Sequence, residues 1–499
     1  MNRTRILTTI LTGALLLASV SVLSCGDNSA QTDNAQTEPS VTDTAVDTAS
    51  TETESPYKLS LPEDLDFGGE EIFVYGWEHY EDIEFYAETE NGDIVNDAVF
   101  RRNLSVQENL NVKLTFSEIE GRDSGTWNKK VTNANKAGDD LYDIIAGHSH
   151  RIGELAQSND LLNLLDYQYL DLSQPWWRSE LTERAVILNN LFFVTGDISP
   201  SSVSRSQGIF INTEILHNFD LEDPYQLVLD GTWTHSKMME MTKGVYSDLD
   251  GDGKKNEEGD RFGFALDQVQ TQAIGLTAGI NSIVQDSDGR LGLSPDYVSD
   301  YSTSILDLWI DYMKTSPDAI FIKVMDDTSM FRSGRALFYT FPLGTISTEF
   351  RNCDFNIGFV PWPKADEGQE DYVTCTSNAY SLWGVPLAAT NPDMSCAVME
   401  NLAYEGYREI MPAMFETAYK VKYNNTESQL QSQVFDILRE NLTFDIGRIM
   451  STPTGGVFYL LSDCINAGKN NLASQFEKTQ KRADKLLNNW MDELENADQ

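Results

Sequence analysis

Between residues 72 and 146 the hydrophobic period of the chain switches repeatedly, and this alternation restricts the fold more than any other feature. Ile72-Phe73-Val74-Tyr75 is a short apolar run of the buried-strand kind. Residues 95–110 space Val95, Val99, Leu104 and Leu110 among polar residues as a helix does. Asn111-Val112-Lys113-Leu114-Thr115-Phe116 then alternates with period two, as a half-buried strand does. A second helical stretch over 128–137 leads into Tyr142-Asp143-Ile144-Ile145-Ala146. Strand, helix, strand, helix, strand implies a parallel sheet with crossover helices, so the fold class is α/β. At the far end Phe476, Ala483, Leu487, Trp490 and Leu494 recur at helical spacing through a charged segment, which predicts a helix docked by one face.

Size and charge narrow the function classes. The 499 residues suit two to four domains, or one large two-lobed body, at about 100–200 residues per domain. Against 36 Lys and Arg stand 78 Asp and Glu, a formal net charge of -42. That field repels nucleic-acid phosphates and anionic lipid headgroups, so neither is an expected partner. A neutral solute fits better.

The leader sets the compartment. Arg3 and Arg5 precede an apolar run from Ile6 to Leu23, and Val22-Leu23-Ser24-Cys25 follows. The outline is that of a secretory signal, and the box resembles a bacterial lipoprotein cleavage site. That likeness implies removal of residues 1–24, lipidation of Cys25, and a body held at the outer face of the cell membrane. Residues 25–57 then form a tether rich in Ser, Thr, Ala and acids, with too little apolar surface to offset the entropy of ordering. Cys353, Cys375, Cys396 and Cys464 are scattered, nothing selects a pairing among them, and buried free thiols are expected.

Several segments, taken in order, resemble a known family. They are Tyr142-Asp143-Ile144-Ile145, Leu155-Ala156-Gln157-Ser158-Asn159-Asp160-Leu161-Leu162, Pro175-Trp176-Trp177 and Gln207-Gly208-Ile209-Phe210-Ile211-Asn212. Gly231-Thr232-Trp233-Thr234, Phe331-Arg332-Ser333-Gly334-Arg335-Ala336-Leu337-Phe338 and Ile357-Gly358-Phe359-Val360-Pro361-Trp362-Pro363 follow. From about residue 60 onward the set is similar to the extracellular solute-binding proteins of ABC importers, in the group with the maltodextrin-binding proteins. The resemblance implies a two-lobed, periplasmic-binding-protein-like type II fold, with mixed sheets, flanking helices and an inter-lobe cleft. By that analogy residues 58–205 and 372–440 form lobe 1, and residues 206–371 and 441–499 form lobe 2. It also implies an oligosaccharide ligand, ABC permease subunits as partners, a hinge motion on binding and no catalysis. A monomer is expected, touching the membrane through its lipid only. Loops after Ile145, Val194 and Phe338 are candidates for the cleft wall, since ligands of open α/β sheets sit beyond the carboxyl ends of strands.

One motif carries metal chemistry. Asp248, Asp250 and Asp252 stand at positions 1, 3 and 5 of a calcium-type loop, and Gly253 at the tight-turn position 6. Lys254 would offer its carbonyl and Asn256 a side-chain oxygen or a bound water. Gly259 replaces the usual bidentate Glu at position 12, so Glu258 or Asp260 must close the shell, and both stay open here. A structural Ca2+ is the expected cofactor.

Aromatic residues carry the ligand expectation, because sugar rings stack their C–H faces on them. Trp176, Trp177, Trp383, Phe458 and Tyr459 are candidates, and the family pattern implies platform positions at Phe458 and near Phe341. His148-Ser149-His150 follows a strand end, and His148 is the hydrogen-bonding candidate there. Arg205, near the lobe crossing, either binds ligand or pairs with an acid. The rival classes are a secreted carbohydrate-active enzyme, which needs two opposed carboxylates, and an adhesion or scaffold lipoprotein.

Overall fold

A computed structural model of the protein describes residues 57–78, 83–122, 125–414 and 428–497. The leader, Cys25 and the tether as far as residue 56 lie outside the described residues.

The first five elements follow the hydrophobic periods. They are β1 (Glu70–Trp77), helix Ile94–Leu110, β2 (Val112–Ile119), helix Thr126–Ala137 and β3 (Ile144–His148). Local chemistry fixes the helix ends. The Asp93 side chain accepts from the amides of Val95 and Asn96, and Asn111 stops the first helix in the left-handed region at φ 47°. β1 runs parallel to both neighbours, with Val74 opposite Phe116 on one side and Ile144 on the other.

Through residues 199–206 the chain enters a second sheet. β4 (Gln207–Asn212), β5 (Ser247–Asp248) and β6 (Asp260–Asp267) come first. The hairpin β7 (Ile283–Gln285) and β8 (Leu291–Leu293) intervenes, then β9 (Ala319–Ile322), β10 (Ala336–Pro342) and β11 (Ile357–Pro361). The spatial order is β11-β4-β10-β6-β5, with β9 also paired to β6. β4 is antiparallel to β10 and β11, while β6 is parallel to β9 and β10, so the sheet is mixed. Every residue of β4 and β10 is buried, as continuous apolar runs demand. Phe210 packs edge-on to Phe350 at 4.8 Å and tilted against Phe359 at 4.7 Å, filling one face of this sheet.

The chain then returns. β12 (Thr374–Cys375) pairs in parallel with β14 (Leu442–Thr443), and β13 (Ser381–Gly384) adds antiparallel to β3, with Ser381 opposite His148. Helix Pro392–Glu405 packs on helix Ile94–Leu110 beside the first sheet. Helix Ser428–Glu440 differs from the sequence expectation for lobe 1. It packs on β11, with the Phe435 ring 6.2 Å from Phe359, because its apolar stripe meets the second sheet. The closing helix Leu472–Ala497 buries Ala483, Leu487, Trp490 and Leu494. Arg290 of the β7–β8 hairpin holds its outer face by bonds of 2.6 Å to Asp492 and to Glu495. Cys353, Cys375, Cys396 and Cys464 are buried free thiols.

Candidate functional site

Three segments run side by side where the two sheets meet. Ser377 N donates to Arg205 O at 2.8 Å, and Ser206 bridges Thr376. Thr374 N donates to Asn441 O at 2.9 Å, continuing the contact into β14. Residues 205–206, 374–377 and 441–443 therefore form a thin strip of backbone between the two sheets.

Side chains gather at this strip. Arg448 is buried, with its guanidinium donating to Thr376 O at 2.5 Å and to Gln272 Oε1 at 2.6 Å. Its Cζ lies 5.5 Å from the centre of the Phe458 ring. The preceding Asp445 caps the short helix Ile446–Ile449 by accepting from Arg448 N, and burial pushes its carboxyl up to about 6. From the second sheet, Gln207 donates to Gln270 Oε1 at 2.5 Å and accepts from Cys375 Sγ at 3.2 Å.

The first sheet contributes the turn after β3. Ser149 opens helix Ser149–Gln157, its hydroxyl donating to Asn378 O at 2.7 Å. His150, in the first turn, places Nε2 3.2 Å from the Tyr459 hydroxyl, which is 3.3 Å from Ser451 Oγ. Burial, with the Arg448 and Arg151 charges, pushes His150 down to about 3, so the ring is neutral and presents one donor and one acceptor nitrogen. Gly153 lets this helix approach closely, since a Cβ there would stand 2.4 Å from Ile449 O. A hollow of about 240 Å³ opens beside the strip, lined among others by Arg184, Asn281, Tyr372, Thr376, Thr443 and Asp445. Sites for small molecules are commonly about 300–1,000 Å³, so the junction, rather than this hollow alone, is the candidate ligand surface.

The residues singled out from the sequence separate into two groups. Phe458 and Tyr459 lie at the junction, with Phe458 nearly buried under Arg448 and Tyr459 half-buried. Arg205 is there too, through its backbone carbonyl. Phe341 is the penultimate residue of β10, beside Tyr339, their ring centres 5.8 Å apart. His148 is buried against the edge of Trp77, and its Nδ1 accepts from His150 N. The imidazole two residues further on, rather than His148, reaches across the junction.

The tryptophans are the correction. Trp176 and Trp177 do not present open faces, because both rings are buried and their indole N–H groups donate to Glu400, at 3.1 Å and 2.8 Å. Ser60 Oγ and Asp171 N donate to the same carboxylate. A buried acid in helix Pro392–Glu405 thus organises the Pro175 loop, and the doublet belongs to the core. Trp383 is likewise fully buried in β13, donating to Ser199 Oγ at 2.7 Å. His150 comes from the His148-Ser149-His150 run singled out in the sequence, of which only His148 was named a site residue. Arg448 and the Gln207–Gln270 pair enter the site without a sequence signal of their own.

The acidic loop forms a separate cluster. One carboxylate oxygen from each of Asp248, Asp250 and Asp260 lies within 4.8 Å of the other two. Asp252 and Glu258 are exposed and stand outside the cluster. Asn256 Oδ1 instead accepts from the amides of Glu258 and Gly259, while Lys254 O accepts from Asn256 Nδ2.

No protein-family model and no curated protein sequence matches the chain. Solved structures do. The ABC substrate-binding protein Lmo0181 from Listeria monocytogenes, in complex with cycloalternan, aligns over 86% of this chain and 99% of its own, at 11% identity and a TM-score of 0.51. A cyclo/maltodextrin-binding protein complexed with maltotetraose aligns over 85% of this chain and 96% of its own, at 12% identity and a TM-score of 0.51. The fold of this chain is therefore the two-lobed α/β fold of ABC substrate-binding proteins.

Proposed function

We propose that the protein captures an oligosaccharide between its lobes and passes it unchanged to the permease subunits of an ABC importer. The observation that carries this reading is the junction itself. There an imidazole from the turn after β3 meets a half-buried tyrosine from the segment that follows β14, beside an arginine bonded into both the strip and the second lobe. Such a surface combines a ring able to stack on a sugar with neutral donors and acceptors for its hydroxyls. The fold supports the reading, and the two similar structures hold cycloalternan and maltotetraose. In this proposal lobe 1 is built around β1, β2, β3 and β13, and lobe 2 around β4 to β11.

Tyr459→Ala is expected to weaken oligosaccharide binding by about tenfold or more, the usual scale for an aromatic anchor, and Tyr459→Phe by less. Calorimetry against linear and cyclic glucans measures both. If a different solute binds and no carbohydrate does, the sugar class is wrong and solute capture stands. Release of shorter sugars from the glucan would overturn the binding reading in favour of a hydrolase.

The leader adds anchoring to the proposal. Cleavage before Cys25 and lipidation of its thiol would hold the body outside the cell membrane, on the tether of residues 25–57. Cys25→Ser is expected to abolish both the lipid and processing at that site, which mass spectrometry of the N-terminus reads directly. A native N-terminus elsewhere than Cys25 would refute it.

A further inference from the structure

We propose that one calcium ion binds between Asp248, Asp250 and Asp260, in a shell that Asp260 closes from inside the second sheet. Asp260 is the first residue of β6 and is fully buried. Its Oδ2 accepts from Asn256 N at 2.8 Å and from the Tyr246 hydroxyl at 3.2 Å, whereas Oδ1 is buried without a hydrogen-bond partner. A carboxylate oxygen left so is costly unless a cation meets it.

The surrounding positive charges are committed elsewhere. Lys255 Nζ donates to Ser316 O and lies over the Phe262 ring, and the Arg261 guanidinium lies over Phe219. Arg335 donates to the backbone carbonyls of Glu257 and Asp260, and Lys323 pairs with Glu257. Lys254 approaches Asp252 at 3.8 Å. Among the described residues no ion pair reaches Asp248, Asp250 or Asp260, so three clustered carboxylates lack a counter-charge. Amides of Gly251 and Gly253 donate to Asp248 at 2.6 Å and 2.9 Å, which fixes its carboxylate within the loop.

Gly259 explains the departure from the usual loop. A Cβ at this twelfth position would stand 1.9 Å from Asp250 Oδ2. A ligating side chain there would displace the third-position carboxylate, and the closing role passes one residue on, to the strand. Three hard carboxylate ligands suit Ca2+ better than metals that prefer soft ligands, and exceed the one or two carboxylates by which Mg2+ is usually held. The loop is exposed, so affinity on the order of 10⁻⁴–10⁻³ M is expected, the range of extracellular calcium modules.

The test uses the full chain with Tb3+ as a luminescent calcium mimic, excited through Tyr246, and thermal melting in chelator against added Ca2+. Wild type is expected to show sensitised emission that Ca2+ displaces, and a melting temperature higher by about 2 °C at saturating Ca2+. Asp250→Asn and Asp260→Asn should each weaken the metal at least about tenfold, while Glu258→Gln leaves it unchanged. Asp250 is exposed, so its variant carries the test if Asp260→Asn does not fold. A wild type with neither emission nor a calcium-dependent melting shift overturns the site. Loss of binding in Glu258→Gln with retention in Asp260→Asn overturns the assigned shell.

Discussion

Glu400→Ala is expected to lower the unfolding free energy by about 3–5 kcal/mol, the scale for a large buried truncation that also strands buried hydrogen-bond donors. The carboxylate accepts from Trp176, Trp177, Ser60 and Asp171, four donors from two separate stretches of chain. Truncation leaves two indole N–H groups buried without an acceptor and opens a cavity between them. Urea unfolding followed by tryptophan emission reports both the loss and the loosened indoles. Trp177→Ala is expected to cost a similar amount while leaving solute affinity unchanged, since its ring is core. Acidity sharpens the test. Burial pushes Glu400 up from 4.5 to about 7 against the pull of its four donors. A carboxyl raised on folding contributes stability that is full below the unfolded value and is lost as pH climbs through the folded one. Glu400→Gln does not titrate, so its deficit relative to wild type is expected to shrink between about pH 5 and pH 8. A deficit that stays constant over that interval would mean the acid is ionised throughout.

Arg448→Ala is expected to damage stability and binding together. The guanidinium joins the strip at Thr376 O to Gln272, in the segment after β6, and covers Phe458, so its loss strands a buried carbonyl and frees the ring. We expect a loss of about 3 kcal/mol in unfolding free energy, given about 1.5–3 kcal/mol per charge-assisted bond, and solute binding weaker by more than about tenfold. Arg448→Lys keeps the charge without the planar fork and should recover only part of either loss. Unaltered solute affinity in Arg448→Ala would remove the junction as the ligand surface.

Local pattern made the first sheet readable. Val112 to Phe116 alternates, 95–110 keeps helical spacing, and each signal lies within one element, so β1, β2 and β3 with their crossovers follow from neighbours in sequence. The partners of short strands do not. β13 has four residues, and its place beside β3 depends on packing with chain far away. The site was harder for the same reason. Pro175-Trp176-Trp177 reads as an aromatic loop, and only the acid brought over it by helix Pro392–Glu405 reveals a core motif. At His148-Ser149-His150 the chain passes from strand to helix, and that change of geometry sends one imidazole onto Trp77 and the other toward Tyr459. The acidic loop shows the limit most plainly: positions 1 and 3 were legible, while the third carboxylate of the cluster depends on where β6 begins.

The order in which the first sheet is laid down bears on how the protein must be made. β3 receives its outer partner β13 roughly 230 residues later, after the whole second sheet. At synthesis rates of about 5–20 residues per second, the nascent chain carries an unpaired strand edge for roughly 10–50 s. Edges of that kind pair with other chains when left open. Holding factors that bind extended apolar backbone therefore have their natural target at Ile144–His148, and yield during overproduction should be governed by how long that edge is shielded rather than by the stability of the finished molecule.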